Sequence, residues 1–468
     1  MDFSRPTQSI CPNCGKPVPA SYAIRAESVF FDISCPDCGF FSSLLSERRE
    51  DFEFWMGFEP VTVAPAKAVT EGSPYSECPL HCGLCENHLM TACCVLLDVT
   101  DRCNQNCPYC FARSVPETCI TAECDPPLAV IERWYDRLLD LGEERPFNIQ
   151  LSGGEPTVRE DLPAIIAMGR AKGFEYIQLN TNGRRLAEEG AYCGRLKEAG
   201  LSTVFLQFDG TEDPINMTLR GEPLFGLKRR AIENCGEAGL PVTIVPTVVR
   251  GVNLLNIGEM INFMLENIHV VKGVHFQPVS LFGRYPEEAG ACGDEGPSSR
   301  VTMFSVMEQI EAQTKGRIRR EDLRPITTGH PLCCFCGSFL LEADGSVSSL
   351  MSDETRSSGA SCCEPAPGSG CKGPAFDPLE VIRRDRDFVL NKWKVGKAPP
   401  GGPTHGTGPL SLDEAAEYFR ANQFTVSGMA FMDGGNLDAE RLKRCRVQVF
   451  TRDEKLIPFC AYNSIFRV

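Results

Sequence analysis

Three cysteines, Cys103, Cys107 and Cys110, stand at Cys-x3-Cys-x2-Cys spacing in DVTDRCNQNCPYCFAR, directly after the apolar run CVLLDVT (94–100). Two or three residues between thiols let several sulfurs converge on one metal centre and suit a disulfide poorly. Three thiolates on one loop hold three corners of an iron–sulfur cubane and leave the fourth iron open to a bidentate ligand, such as the amino and carboxylate groups of a methionine. By spacing alone, a four-cysteine electron-transfer cluster or a zinc site also fits. Context narrows the choice. The next apolar run, FNIQLS (147–152), leads into Ser152-Gly153-Gly154-Glu155-Pro156-Thr157. Two glycines at a strand end allow close backbone approach to a ligand, and Glu155 adds a carboxylate able to receive an ammonium group. A simple electron carrier needs no such turn.

Between Cys94 and Gly283 strand-like and helix-like runs alternate. The strand candidates are 94–100, 147–152, YIQLN (176–180), TVFLQF (203–208), VTIVPTVV (242–249) and GVHFQPV (273–279). Amphipathic stretches such as PLAVIERWYDRLLDL and LLNIGEMINFMLENI lie between them. Six strands with five crossovers predict an α/β fold, a partial (β/α)6 parallel barrel whose site lies at the strand C-termini. Residues 1–60 read as a small metal-knuckle domain, 61–93 as a linker with an auxiliary iron–sulfur segment, 94–285 as the barrel, and 286–468 as a Cys-rich auxiliary-cluster and substrate region. That last region is interrupted by Gly/Pro/Ser-rich stretches at 286–300, 353–373 and 395–409.

The chain has 468 residues, a net charge of -15 and 25 cysteines. The negative charge argues against nucleic-acid binding and against simple attraction to anionic membranes. No apolar run is long enough to span a membrane, and the start lacks a signal-peptide pattern. A soluble, unexported, cytoplasmic protein in a reducing compartment is expected. Cys193, Cys235 and Cys292 stand alone and read as small buried hydrophobes.

The remaining cysteines suggest further metals. Cys11-x2-Cys14 and Cys35-x2-Cys38, within CPNCG and CPDCG, predict one four-thiolate zinc or rubredoxin-like iron. Cys78, Cys82 and Cys85 repeat the cluster spacing outside the barrel. They predict an auxiliary cluster whose fourth ligand is Cys93, Cys94 or a distant residue, with His81 and His88 as other options. Another cluster draws on Cys333, Cys334, Cys336, Cys445 and Cys460, with Cys362, Cys363 and Cys371 peripheral. Cys445 and Cys460 lie in RCRVQVFTRDEKLIPFCAYN, which reads as a hairpin bringing them together.

The cysteine loop followed by GGEP resembles the radical S-adenosylmethionine superfamily over roughly residues 94–284. The resemblance implies that Cys103, Cys107 and Cys110 bind a [4Fe–4S] cluster and that Tyr109 or Phe111 contacts adenine. It further implies that Gly153, Gly154 and Glu155 receive the methionyl amine. Asn180, Asn182, Gln207, Asp209, Thr247 and Arg250 would hold the ribose and carboxylate of S-adenosylmethionine. Reductive cleavage would then yield methionine and a 5′-deoxyadenosyl radical that abstracts hydrogen, with an external donor such as ferredoxin or flavodoxin.

The wider order of motifs, including CPLHCGLCENH, QLNTNG, VFLQFDG, VPTVVRGVN and LIPFCAYN, resembles the archaeal tetraether lipid synthase family, also known as pterin-dependent methyltransferases. This resemblance implies three [4Fe–4S] clusters, a rubredoxin-like metal, and carbon–carbon coupling of lipid chains. A largely apolar substrate in an elongated cavity is therefore expected, with peripheral membrane contact as a further option. Phe52, Phe54, Trp55, Met56 and Phe58 either make that contact or pack beneath the knuckle. Radical methyl or alkyl transfer to a small heterocycle and peptide modification are the enzymatic alternatives. An iron–sulfur electron carrier is the non-enzymatic one.

Overall fold

A computed structural model of the chain describes residues 5–467 apart from 59, 61, 66–78, 81, 84, 113, 122, 143–145, 287–299, 327–328 and 352–410. Cys78, His81, Cys292, Cys362, Cys363 and Cys371 lie outside the described residues.

Side chains on successive strand residues point to opposite faces, and this periodicity separates two environments in the barrel. One set is apolar throughout: Val95 and Leu97, Ile149 and Leu151, Ile177 and Leu179, Val204 and Leu206, Val242 and Ile244, Val274 and Phe276. All are buried in one core with the surrounding helices. Helix Leu128–Leu141 contributes Ile131, Trp134, Tyr135 and Leu138 to it, and helix Ile257–Glu266 contributes Met260, Ile261 and Met264. Each such side chain contributes roughly 1.5–3 kcal/mol when fully buried. The opposite set faces inward and is largely polar.

The strands Cys94–Thr100, Asn148–Gly153, Ile177–Thr181, Thr203–Gln207, Val242–Val245 and Val271–Pro278 pair in parallel in sequence order. This is the predicted barrel. The C-terminal region extends the same sheet at both edges. Gln423–Met429 pairs in parallel with Val271–Pro278, and Cys334–Leu341 runs antiparallel beyond it. At the other edge Val447–Phe450 pairs in parallel with Cys94–Leu97, and Leu456–Pro458 folds back on it. The expected hairpin forms, with Cys445 just before it and Cys460 just after it.

The N-terminal strands Arg5–Ile10, Pro17–Arg25, Ser28–Cys35 and Gly39–Ser46 form a separate antiparallel sheet. Helix Arg49–Met56 follows. Phe52 and Trp55 are buried in the core, with Trp55 edge-on to Phe304 at 5.8 Å. Packing beneath the knuckle thus accounts for these two residues of the aromatic segment. No helix among the described residues is long and apolar enough to cross a membrane.

Candidate active site and metal centres

The first barrel strand ends at Thr100, and Cys103, Cys107 and Cys110 follow at its mouth. All three line a cavity of about 410 Å³ together with Tyr109, Phe111, Gly153, Gly154, Glu155, Asn180, Asn182, Gln207 and Thr247. Burial pushes the Cys103 thiol up to about 12, with the Glu155 carboxylate adding to the effect. Burial also raises Cys107, partly opposed by Arg220. Buried thiols of this kind become thiolates when metal cations compensate the charge.

Gly153 and Gly154 perform a packing task. Gly153 has φ +126°, and a Cβ there would sit 2.0 Å from the Thr100 carbonyl oxygen. At Gly154 it would sit 2.2 Å from the Arg102 carbonyl oxygen. The Gly154 and Glu155 N–H groups donate to those two carbonyls at 2.8 and 2.7 Å. The turn is therefore fastened to the backbone that leads into Cys103. The Glu155 side chain is equally engaged. Its Oε1 accepts from Thr157 N (3.1 Å), Thr157 Oγ1 (2.6 Å) and Thr181 Oγ1 (2.6 Å), and Oε2 accepts from Asn182 N at 2.6 Å. A carboxylate offers about four lone-pair positions, so Oε2 retains capacity for one further donor such as an ammonium group.

Two expected cofactor residues lie elsewhere. Asp209 is fully buried and does not line the cavity; it pairs with Arg220 at 2.6 and 2.9 Å and accepts from Thr247 N at 2.9 Å. Arg250 approaches Glu47 of the N-terminal sheet at 3.7 Å and donates to the Arg300 carbonyl, away from the cavity. The residue that does reach the site is Arg220, the last residue of helix Asp213–Arg220. It donates to the Tyr109 carbonyl at 2.8 Å and to Thr247 Oγ1 at 2.9 Å. One guanidinium thus ties the cysteine loop to the ends of two later strands. Nothing local in the sequence distinguishes it from a helix-terminal arginine. Beneath it Lys228 is buried and donates to Gln207 Oε1 (2.8 Å) and the Asn182 carbonyl (2.5 Å). Burial lowers its pKa to about 8.

Deeper in the barrel the inward side chains form a polar wall. Asn148, Gln150, Gln178, Asn180, Gln207, His275 and Gln277 all line the cavity. Gln178 donates to Asn180 Oδ1 at 2.8 Å, Asn180 to Gln150 Oε1 at 3.5 Å, and Gln150 to Cys94 Sγ at 2.8 Å. His275 Nδ1 lies 2.9 Å from Ser427 Oγ. The other wall is apolar, with Phe431 against Phe459 at 4.5 Å and Phe282 against Phe459 at 6.1 Å. This amide wall is written in the alternation N-I-Q-L-S, I-Q-L-N and F-L-Q within the strand candidates. A period-two count of polar residues would have revealed it.

The N-terminal cysteines form a different centre. The Sγ atoms of Cys11, Cys14, Cys35 and Cys38 all lie within 4.8 Å of one another. Among the described residues this is the only group of three or more His, Cys, Asp or Glu side chains so close. Gly15 and Gly39, directly after each pair, adopt φ +71° and +90°, which favours glycine. Burial raises the Cys11 thiol, but backbone N–H groups of Cys14 and Asn13 outweigh it and bring the value down to about 7. Hydrogen bonding to Cys11 pushes Cys38 up to about 12. Four converging thiols suit a divalent ion that deprotonates the whole set.

The auxiliary cysteines divide. Cys82 and Cys460 share one small apolar cluster, and Arg441 Nη2 lies 3.6 Å from Cys333 Sγ. Cys460 feels the charges of Cys445 and Cys333. Cys336 departs from the expected set: with Cys334 it lines the main cavity, because residues two apart on strand Cys334–Leu341 share a face. Cys93 and Cys94 also line that cavity. His88 is buried, and burial lowers its pKa to about 4.

A parallel partial barrel with a three-cysteine loop fastened to its GGEP turn is the architecture of one enzyme class. The radical SAM superfamily model matches residues 97–264, and the HMPTM N-terminal zinc ribbon domain model matches residues 3–47. The chain belongs to the radical SAM superfamily, whose members use S-adenosylmethionine and a [4Fe–4S] cluster. It is 32% identical to the 7,8-dihydro-6-hydroxymethylpterin dimethyltransferase of Methanocaldococcus jannaschii, over 99% of this chain and 94% of that protein. A probable GTP 3′,8-cyclase of Methanothermobacter thermautotrophicus is 30% identical, over 48% of this chain and 67% of that protein. Among solved structures, Streptococcus suis SuiB bound to S-adenosylmethionine is similar at 17% identity and TM-score 0.35, over 43% of this chain and 44% of that chain.

Proposed function

We propose that this radical SAM enzyme replaces hydrogen by methyl on a carbon of a small, hydrogen-bonding heterocycle, of the pterin kind named for its full-length relative. The amide wall carries the reading. Each carboxamide offers both donor and acceptor atoms, which match the alternating edge of a pterin ring. A lipid tail against the same wall would leave the donor and acceptor positions that the amides do not use on one another without partners, at roughly 1–3 kcal/mol each.

Cys103, Cys107 and Cys110 would hold the cluster, and Glu155 Oε2 would take the methionyl ammonium group. What the cluster and S-adenosylmethionine supply there is reductive generation of a hydrogen-atom acceptor. The residues of this chain orient the substrate and exclude water. Loaded, the site would supply cleavage of a substrate C–H bond; a methyl-level one-carbon donor would then give its methyl group to that carbon, and the group it leaves would take up an electron. An external one-electron carrier such as ferredoxin or flavodoxin would provide both that electron and the one spent in cofactor cleavage. Cys82, Cys333, Cys445 and Cys460 would carry an auxiliary cluster.

A second reading, carbon–carbon coupling of lipid chains, draws on the aromatic wall of Phe282, Phe431 and Phe459. Reduced, cluster-loaded enzyme incubated with S-adenosylmethionine, a methyl-level one-carbon donor and either 7,8-dihydro-6-hydroxymethylpterin or an archaeal diether lipid separates the two. Methylated pterin detected by mass spectrometry is the expected product. Coupled lipid with unmodified pterin would replace the first reading by the second.

A further inference from the structure

We infer that Cys119 and Cys124 form a redox-active dithiol, distinct from the metal-binding cysteines, which exchanges with small disulfides and closes into an intramolecular disulfide. Their Sγ atoms lie 2.9 Å apart. A disulfide holds its sulfurs at about 2.05 Å, so a modest side-chain rotation closes the gap. Neither thiol belongs to a compact ligand set, because the only such set among the described residues is the N-terminal one. The two thiols also differ in access. Cys119 is partly exposed and Cys124 is buried. The outer sulfur can therefore meet an incoming disulfide, and the inner one can resolve the mixed disulfide that results.

The exchange balances. The Cys119 thiolate attacks a small disulfide and releases one thiol. The Cys124 thiolate then attacks Cys119 and releases the second. The protein loses two hydrogens, and the small disulfide becomes two thiols. Hydrogen bonding to Cys124 raises the Cys119 pKa, so closure should accelerate as pH rises.

The pair sits on a strap beside the cluster loop. Asp101 N–H donates to the Cys124 carbonyl at 2.9 Å, and Val115 N–H donates to the Asp101 carbonyl at 2.9 Å. Arg102 donates to the Glu117 carbonyl at 2.9 Å and to the Asp125 carboxylate at 2.6 Å. Asp101 and Arg102 lead directly into Cys103. A disulfide across 119–124 would stiffen the support of the first cluster ligand.

The test treats anaerobic, cluster-loaded, full-length protein with glutathione disulfide, followed by alkylation and peptide mass mapping. The expected result is a linked Cys119–Cys124 peptide lighter by two hydrogens, reopened by dithiothreitol and absent in Cys119→Ser. Cys193 and Cys235, 4.0 Å apart but both buried, should remain unlinked. Equal alkylation of Cys119 and Cys124 with and without glutathione disulfide would overturn the inference. So would protection of both thiols in untreated protein until iron is chelated, which would make them ligands.

Discussion

The N-terminal ribbon and the barrel mouth both gather cysteines, but they solve opposite problems. In the ribbon, four thiols within 4.8 Å are presented by two tight turns on a small antiparallel sheet. The protein offers four sulfurs to one ion, the number a closed structural site uses. At the barrel mouth three thiols line a cavity, and their loop is held from outside by Gly154, Glu155 and Arg220. Three cysteines there would leave one coordination position of a cluster open to S-adenosylmethionine. The ribbon site is built by local sequence, whereas the mouth needs the whole barrel to position it.

The largest effect should come from Cys107→Ala. It should abolish reductive cleavage of S-adenosylmethionine, measured as 5′-deoxyadenosine, while the ribbon keeps its metal. Retained cleavage would erase the proposed difference between the two sites. Arg220→Gln should come next. Breaking a buried ion pair leaves Asp209 uncompensated, at roughly 3–5 kcal/mol. Iron content and thermal stability should both fall, and Arg220→Lys should not restore them, since a lysine lacks the forked donors. Unchanged iron loading would show that the cysteine loop positions itself.

Cys35→Ser should release one tightly bound ion and destabilise the ribbon, read by metal analysis and limited proteolysis, with the barrel cluster still loaded. Loss of both centres would mean that the two regions fold as one unit. Gln150→Leu removes the amide that links Asn180 to Cys94. It should raise KM for the heterocycle about tenfold, equivalent to about 1.4 kcal/mol, with little change in uncoupled cofactor cleavage. An unchanged KM would move substrate recognition to the aromatic wall.

The smallest effect concerns pH. Lys272 donates to the Ile268 and Ala421 carbonyls, and burial lowers its pKa from 10.5 to about 8. Between those values the unfolded chain binds the extra proton, so this residue's contribution to stability should rise with pH across that window. Denaturant titrations of wild type and Lys272→Met should diverge in the direction of a rising wild type. A parallel pair of profiles would refute the assignment.

Much of this was legible in the chain. CPNCG and CPDCG specify a metal knuckle because turn geometry and thiol spacing are local properties. The six strands and the cysteine loop followed by GGEP are legible for the same reason. Tertiary structure decided the rest. It turned Asp209 away from the cavity and into a pair with Arg220, and it drew Arg250 toward Glu47. It placed Cys336 in the main cavity instead of beside Cys445 and Cys460, because strand pleat and pairing choose the face a side chain occupies. It also made Gly153 and Gly154 a seam between two backbones. Spacing records which residues can reach a common centre within one loop. Only the assembled partial barrel fixes which residues from distant strands share the space above it.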